Sequence, residues 1–100
     1  MAFVHVSNVN EIPKNSSKIV NVNNKSLALF NIEGNFYVIE NECRHRGGPL
    51  GEGEIHEEEV TCPWHGWVYN LKTGNCLNNP GIKVQTYKVR VEGEKILIEA

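Results

Sequence analysis

Short apolar runs alternate with breaks containing Gly, Asn or Pro along most of the chain, at a spacing of about eight to twelve residues, which is the texture of an all-β domain. Phe3–Val6, Ile19–Asn23, Leu27–Ile32 and Phe36–Glu40 are the strand candidates of the first part. Ser7–Ile12, ahead of Pro13, reads as one helical turn with Ser7 as its N-cap, because a short hydroxyl side chain can accept an amide hydrogen that a helix start leaves unbonded. Glu33-Gly34-Asn35 and Glu92-Gly93-Glu94 read as hairpin turns. Toward the C-terminus Tyr87, Val89 and Val91 alternate with Lys88, Arg90 and Glu92. A period of two predicts one buried and one wet face, and Ile96 and Ile98 continue the apolar side into the last strand.

Residues 43–79 break this texture. Gly47, Gly48, Gly51, Gly53, Gly66 and Gly74 crowd there, with Pro49 and Pro63 inside and Pro80 just beyond. Within the stretch Glu54–Ile55, Val60–Thr61 and Trp67–Asn70 read as short strands, and Lys72-Thr73-Gly74 turns the last one back. The expected organisation is a single domain: a β-framework from about 1–42 and 80–100, with 43–79 inserted as a subdomain. Strand logic alone supports a small β-sandwich or barrel.

Composition narrows the function classes. The 100 residues are 40% apolar and 22% charged, ordinary for a globular protein of one domain, with net charge −2. No apolar stretch approaches the ~20 residues that span a bilayer, and the N-terminus lacks a basic segment followed by an apolar core, so neither a membrane anchor nor an export signal is expected. No basic stripe with interleaved aromatics points to nucleic acid. All 12 acidic residues are Glu. Glu52, Glu54, Glu57, Glu58 and Glu59 gather in the insert, as a solvated hairpin face or as an acidic patch that steers a basic partner. Three cysteines are too few and too odd for a disulfide framework and suit a reducing cytoplasm.

The candidate chemistry lies in two clusters, Cys43-Arg44-His45 and Cys62-Pro63-Trp64-His65, separated by 16 residues. Each pairs one thiolate with one imidazole at short spacing. Two sulfurs and two imidazoles in matched pairs suit a [2Fe–2S] cluster held between two loops, one iron taking both Cys and the other both His. The rival is zinc, but zinc sites of small domains usually read as a Cys pair followed by a Cys or His pair, whereas each arm here is mixed. The third cysteine, Cys76, reads as a small buried hydrophobe. His5 and His56 read as ordinary strand or hairpin residues, and Trp64 and Trp67 either fill the small core of the insert or, for Trp64, form an apolar lip beside His65.

The segments CRHRGGPL (43–50) and CPWHGWVYN (62–70), followed by Leu71 and Thr73-Gly74, resemble the two cluster-binding loops of Rieske-type proteins, especially small soluble Rieske ferredoxins. The resemblance implies an all-β Rieske-like antiparallel β-sandwich with a small inserted cluster-binding subdomain. It also implies one [2Fe–2S] cluster per chain on Cys43, His45, Cys62 and His65, with Pro80-Gly81 in a third loop that covers it. In this family the histidines bind through Nδ1, leaving Nε2 at the tip of the molecule. The chain is then expected to carry single electrons from a flavin-dependent reductase to an oxygenase or other terminal enzyme, as a cytoplasmic monomer with no catalytic residues of its own. A small Rieske-like subunit of a larger reductase, such as nitrite reductase, and a zinc-binding module are the alternatives.

Departures from the family pattern bear on potential. The cytochrome bc members carry an extra Cys in each loop, joined as a disulfide; the matching positions here are Gly48 and Trp64. Their Ser that hydrogen-bonds a sulfide is matched by Trp67, and their cluster-loop Tyr by Tyr69. Fewer hydrogen bonds to sulfur lower the potential. A value near the lower end of roughly −150 to +300 mV is expected.

Overall fold

The computed structural model describes residues 2–64 and 66–99. Ten strands follow in order: β1 (Phe3–Asn8), β2 (Ser16–Val22), β3 (Lys25–Ile32), β4 (Asn35–Glu40), β5 (Glu54–His56), β6 (Glu59–Thr61), β7 (Val68–Asn70), β8 (Thr86–Tyr87), β9 (Val89–Glu92) and β10 (Lys95–Glu99). They form three antiparallel sheets, β1-β10-β9, β2-β3-β4-β8 and β5-β6-β7. The all-β expectation is therefore met. No helix among the described residues is long and apolar enough to cross a membrane.

The four-stranded sheet is the middle layer. Leu27 and Leu29 of β3 and Val38 of β4 pack with Ile96 and Ile98 of β10, joining this sheet to the first. The alternate residues Ala28, Phe30, Ile32 and Ile39 point the other way, into a cluster with Cys43, Leu50, Val60, Cys62, Tyr69, Leu71, Cys76 and Val84. Covering on both faces explains why β3 reads as a nearly continuous apolar run rather than an alternating one. Its one polar member on the inner stretch, Asn31, is buried but satisfied: its Nδ2 donates to the Ile12 carbonyl at 2.7 Å and its Oδ1 accepts from Gly34 N–H at 2.9 Å.

Tight turns set the registers. Val22 faces Lys25, so Asn23 and Asn24 alone join β2 to β3, both with positive φ (52° and 64°). Glu33 and Gly34 join β3 to β4 in the same way (φ 52° and 92°). Two left-handed residues in sequence match the twist of a two-residue hairpin, and Asn accepts that conformation more readily than most side chains.

Four local expectations are corrected. Asn23 belongs to the turn rather than to the second strand, since the strand ends at Val22. β1 runs on to Asn8, so Ser7 is a buried strand residue; the 3-10 turn that follows, Val9–Glu11, is capped at Asn8 instead. The Ser7 hydroxyl donates to Glu11 at 2.7 Å, and Asn8 N–H donates to the same carboxylate oxygen at 3.0 Å. Val91 is 46% exposed although Ile96 opposite it is fully buried, because β9 is an edge strand and only the central β10 is covered on that side. Trp64 is 50% exposed and does not fill a core.

Candidate metal centre

Two loops present Cys43 and Cys62 with nearly the same backbone. Cys43 N–H donates to the Gly48 carbonyl (2.9 Å), and its own carbonyl accepts from Gly47 N–H (2.8 Å). Cys62 N–H donates to the Trp67 carbonyl (2.7 Å), and its carbonyl accepts from Gly66 N–H (3.2 Å). In both loops the amide two residues on points at the thiol: His45 N–H at 3.5 Å from Cys43 Sγ, and Trp64 N–H at 3.4 Å from Cys62 Sγ. The fourth residue after each Cys is a glycine in the left-handed region, Gly47 at φ +74° and Gly66 at φ +76°, where a Cβ would be strained. The loops are thus two copies of one turn. In sequence, however, the second imidazole stands one residue later, so Trp64 occupies the place that His45 occupies in the first copy.

Both thiols are buried, and each has one backbone amide directed at it. They are neighbours: burial pushes the Cys62 thiol up, and the adjacent Cys43 adds to the rise. A Cβ on Gly48 would stand 2.7 Å from Cys62 Sγ and 3.1 Å from Trp64 Cγ, so only glycine fits between the loops there. The Tyr69 hydroxyl, fully buried, lies 3.2 Å from Cys43 Sγ and accepts Arg44 N–H at 3.0 Å. Burial raises the Tyr69 pKa, so its hydroxyl stays protonated and available as a donor.

His45 is exposed, and its ring stacks on Trp67 with centroids 4.4 Å apart and planes 16° apart. His65 lies outside the described residues. Among the described residues no group of three or more His, Cys, Asp or Glu side chains is gathered as a metal site. The pair of thiols and His45 are thereby located, while the fourth predicted ligand is not. Cys76 is buried in the same apolar cluster as the other two cysteines, as a small hydrophobe would be.

Loop 43–48 is pinned from several sides. Asn41, buried, accepts Gly51 N–H at 2.7 Å and donates to the Ser26 hydroxyl at 3.1 Å. Arg44 pairs with Glu40 (2.7 Å) and donates through Nε to the Lys83 carbonyl (3.0 Å). Lys83 follows the turn made by Pro80-Gly81, where Gly81 has φ +91° and Ile82 N–H returns to the Asn79 carbonyl at 3.2 Å. The acidic stretch is not wholly free: Glu58 accepts from Tyr37 at 3.2 Å and pairs with Lys72 at 3.0 Å, tying the β5–β6 turn to β4. Sequence reasoning did not find Arg44, Asn41 or Glu58 in these roles. Asn41, a polar residue directly after an apolar strand and two before Cys43, was the readable signal.

The Rieske [2Fe-2S] domain model matches residues 2–88. The chain belongs to the Rieske [2Fe-2S] family. As a Rieske domain it is 33% identical over 90 residues to the ferredoxin component of the naphthalene 1,2-dioxygenase system of Pseudomonas aeruginosa, covering 89% of this chain and 86% of that one. Its fold is that of the ferredoxin of carbazole 1,9a-dioxygenase from Nocardioides aromaticivorans, with TM-score 0.90, 26% identity, and 98% and 97% of the two chains covered. It also shares the fold of a nitrite reductase small subunit from Mycobacterium tuberculosis (TM-score 0.89, 19% identity, coverage 97% and 93%). The Rieske group is a [2Fe–2S] cluster, and the site accords with it: paired buried thiols, amides aimed at sulfur, and a gap between the loops that a Cβ would fill.

Proposed function

We propose that this Rieske domain is a one-electron carrier whose cluster is held by Cys43 and Cys62 on one iron and by His45 and His65 on the other. The observation that carries the reading is the pair of duplicate turns, each holding a buried thiol with one backbone amide directed at its sulfur. When bound, the cluster supplies reversible one-electron chemistry, and neutral imidazoles in place of two thiolates raise its potential over an all-Cys cluster.

The chain's own residues do the rest. The two loop amides and the Tyr69 hydroxyl would hold the cysteine sulfurs as thiolate ligands and favour a more negative, reduced site. Gly48 admits close approach of the loops, and the Arg44–Glu40 pair holds the first loop on β4. Residues 43–79 act as the cluster-binding subdomain on a base formed by about 1–42 and 80–100. Without the extra loop cysteines or the serine hydroxyl, the potential falls in the low part of the family's range.

The partners we infer are a flavin-dependent reductase as donor and an oxygenase as acceptor, met in the cytoplasm by a soluble monomer. This is supported by the ferredoxin-component relative at 33% identity, whereas the nitrite reductase subunit shares the fold alone. The test is an EPR spectrum of dithionite-reduced protein with iron and zinc counted on the same sample. A rhombic signal with about two irons per chain is expected. About one zinc per chain without a signal would refute the reading.

A further inference from the structure

We propose that Trp67 is the positioning residue that sets the plane of the His45 imidazole, a role that rests on His45 being a cluster ligand. The His45 side chain is exposed, and the torsion that orients an imidazole plane is broad and two-fold, so rotamer preference does not set it. The indole is a flat contact that selects one plane within that broad well. Its face lies nearly parallel to the imidazole, 16° between planes and 4.4 Å between centroids, a stacked geometry.

The platform is itself held. The Trp67 carbonyl accepts Cys62 N–H at 2.7 Å, closing the second loop. The next residue, Val68, starts β7; its N–H donates to Asn78 Oδ1 at 2.6 Å and its carbonyl accepts Leu77 N–H at 2.8 Å. Trp67 is half-buried and packs against the cluster that contains Tyr69 and Leu71. One residue therefore links the two loops: its main chain fixes the cysteine of the second, and its ring orients the histidine of the first. The indole also covers one face of that imidazole with apolar surface, and the apolar shell of a metal site controls solvent access and hence potential.

The test uses the holo-protein. Trp67→Leu keeps an apolar side chain but removes the flat face; Trp67→Phe retains a smaller flat face. In Trp67→Leu the EPR g-spread changes. At the wild-type midpoint the oxidised-to-reduced ratio moves at least about threefold, roughly 28 mV on a scale of 59 mV per tenfold for one electron. Trp67→Phe returns both readouts most of the way. A Trp67→Leu protein with wild-type spectrum and midpoint, differing only in melting temperature, overturns the proposal. If Trp67→Leu does not fold, Trp67→Phe is compared with Trp67→Met, which fills space with a flexible chain, and equal spectra for those two overturn it. His45→Ala separates the two levels. A retained rhombic signal there removes His45 from the ligand set and the proposal with it. Loss of that signal beside an unchanged Trp67→Leu overturns the role of Trp67 alone.

Discussion

Removing one oxygen atom, by Tyr69→Phe, separates the electronic from the structural contribution of the deepest polar group at the site. The hydroxyl lies 3.2 Å from Cys43 Sγ and takes Arg44 N–H at 3.0 Å, so it donates to sulfur while accepting from the backbone. A ligating thiolate cannot donate, and burial keeps the phenol protonated, which leaves one direction for the bond. A hydrogen bond to a charged group contributes about 1.5–3 kcal/mol, and only the part that strengthens on reduction moves the potential. If that part is about 1 kcal/mol, the midpoint falls by about 40 mV, at 1.36 kcal/mol and 59 mV per tenfold for one electron.

The same change strands Arg44 N–H, at about 1–3 kcal/mol. A domain of 100 residues loses about 5 °C of melting temperature per kcal/mol, so a drop of about 5–15 °C accompanies the shift. Film voltammetry and a thermal melt followed by circular dichroism measure the two effects on one sample. A midpoint that rises, or moves by less than about 10 mV, would show that the hydroxyl does not donate to the Cys43 sulfur, whatever the melt shows.

Three further outcomes are expected. Gly48→Ala drives a Cβ to within 2.7 Å of Cys62 Sγ, so iron per chain falls and stability drops by about 1–3 kcal/mol in denaturant titration. Asn41→Ala strands the Gly51 N–H at a cost of about 1–3 kcal/mol, read from the urea midpoint, with no change expected in Asn35→Ala at the exposed start of β4. Hydrogen bonds from Ser7 and Asn8, with the Lys18 charge, hold the Glu11 carboxyl below its ordinary value. The stability this brings is present above the unfolded-state pKa and is lost as pH falls through the folded one, so wild type weakens more than Glu11→Gln between about pH 5 and pH 3 in parallel urea titrations.

What the sequence determined by itself was local. Cys-x-His and Cys-x-x-His are short-range patterns, the glycines beside them mark left-handed turns, and β3 is a recognisable buried strand because its neighbours along the chain are apolar. Paired Asn at 23–24 carried a signal of the same kind, but the strand reading over Ile19–Asn23 passed over it. Tertiary structure decided whatever depends on distant partners. Period 2 places Val91 on an apolar face, but only the position of β9 at a sheet edge leaves it exposed. Ser7 is a strand residue because β10 pairs with it. Tyr69 meets Cys43 across 26 positions, Trp67 meets His45 across 22, and Arg44 meets Lys83 across 39. Side-chain chemistry and backbone preference act over a few residues and are written in order along the chain. These contacts exist only once three sheets have stacked, and the packing that brings them together is a property of the whole core.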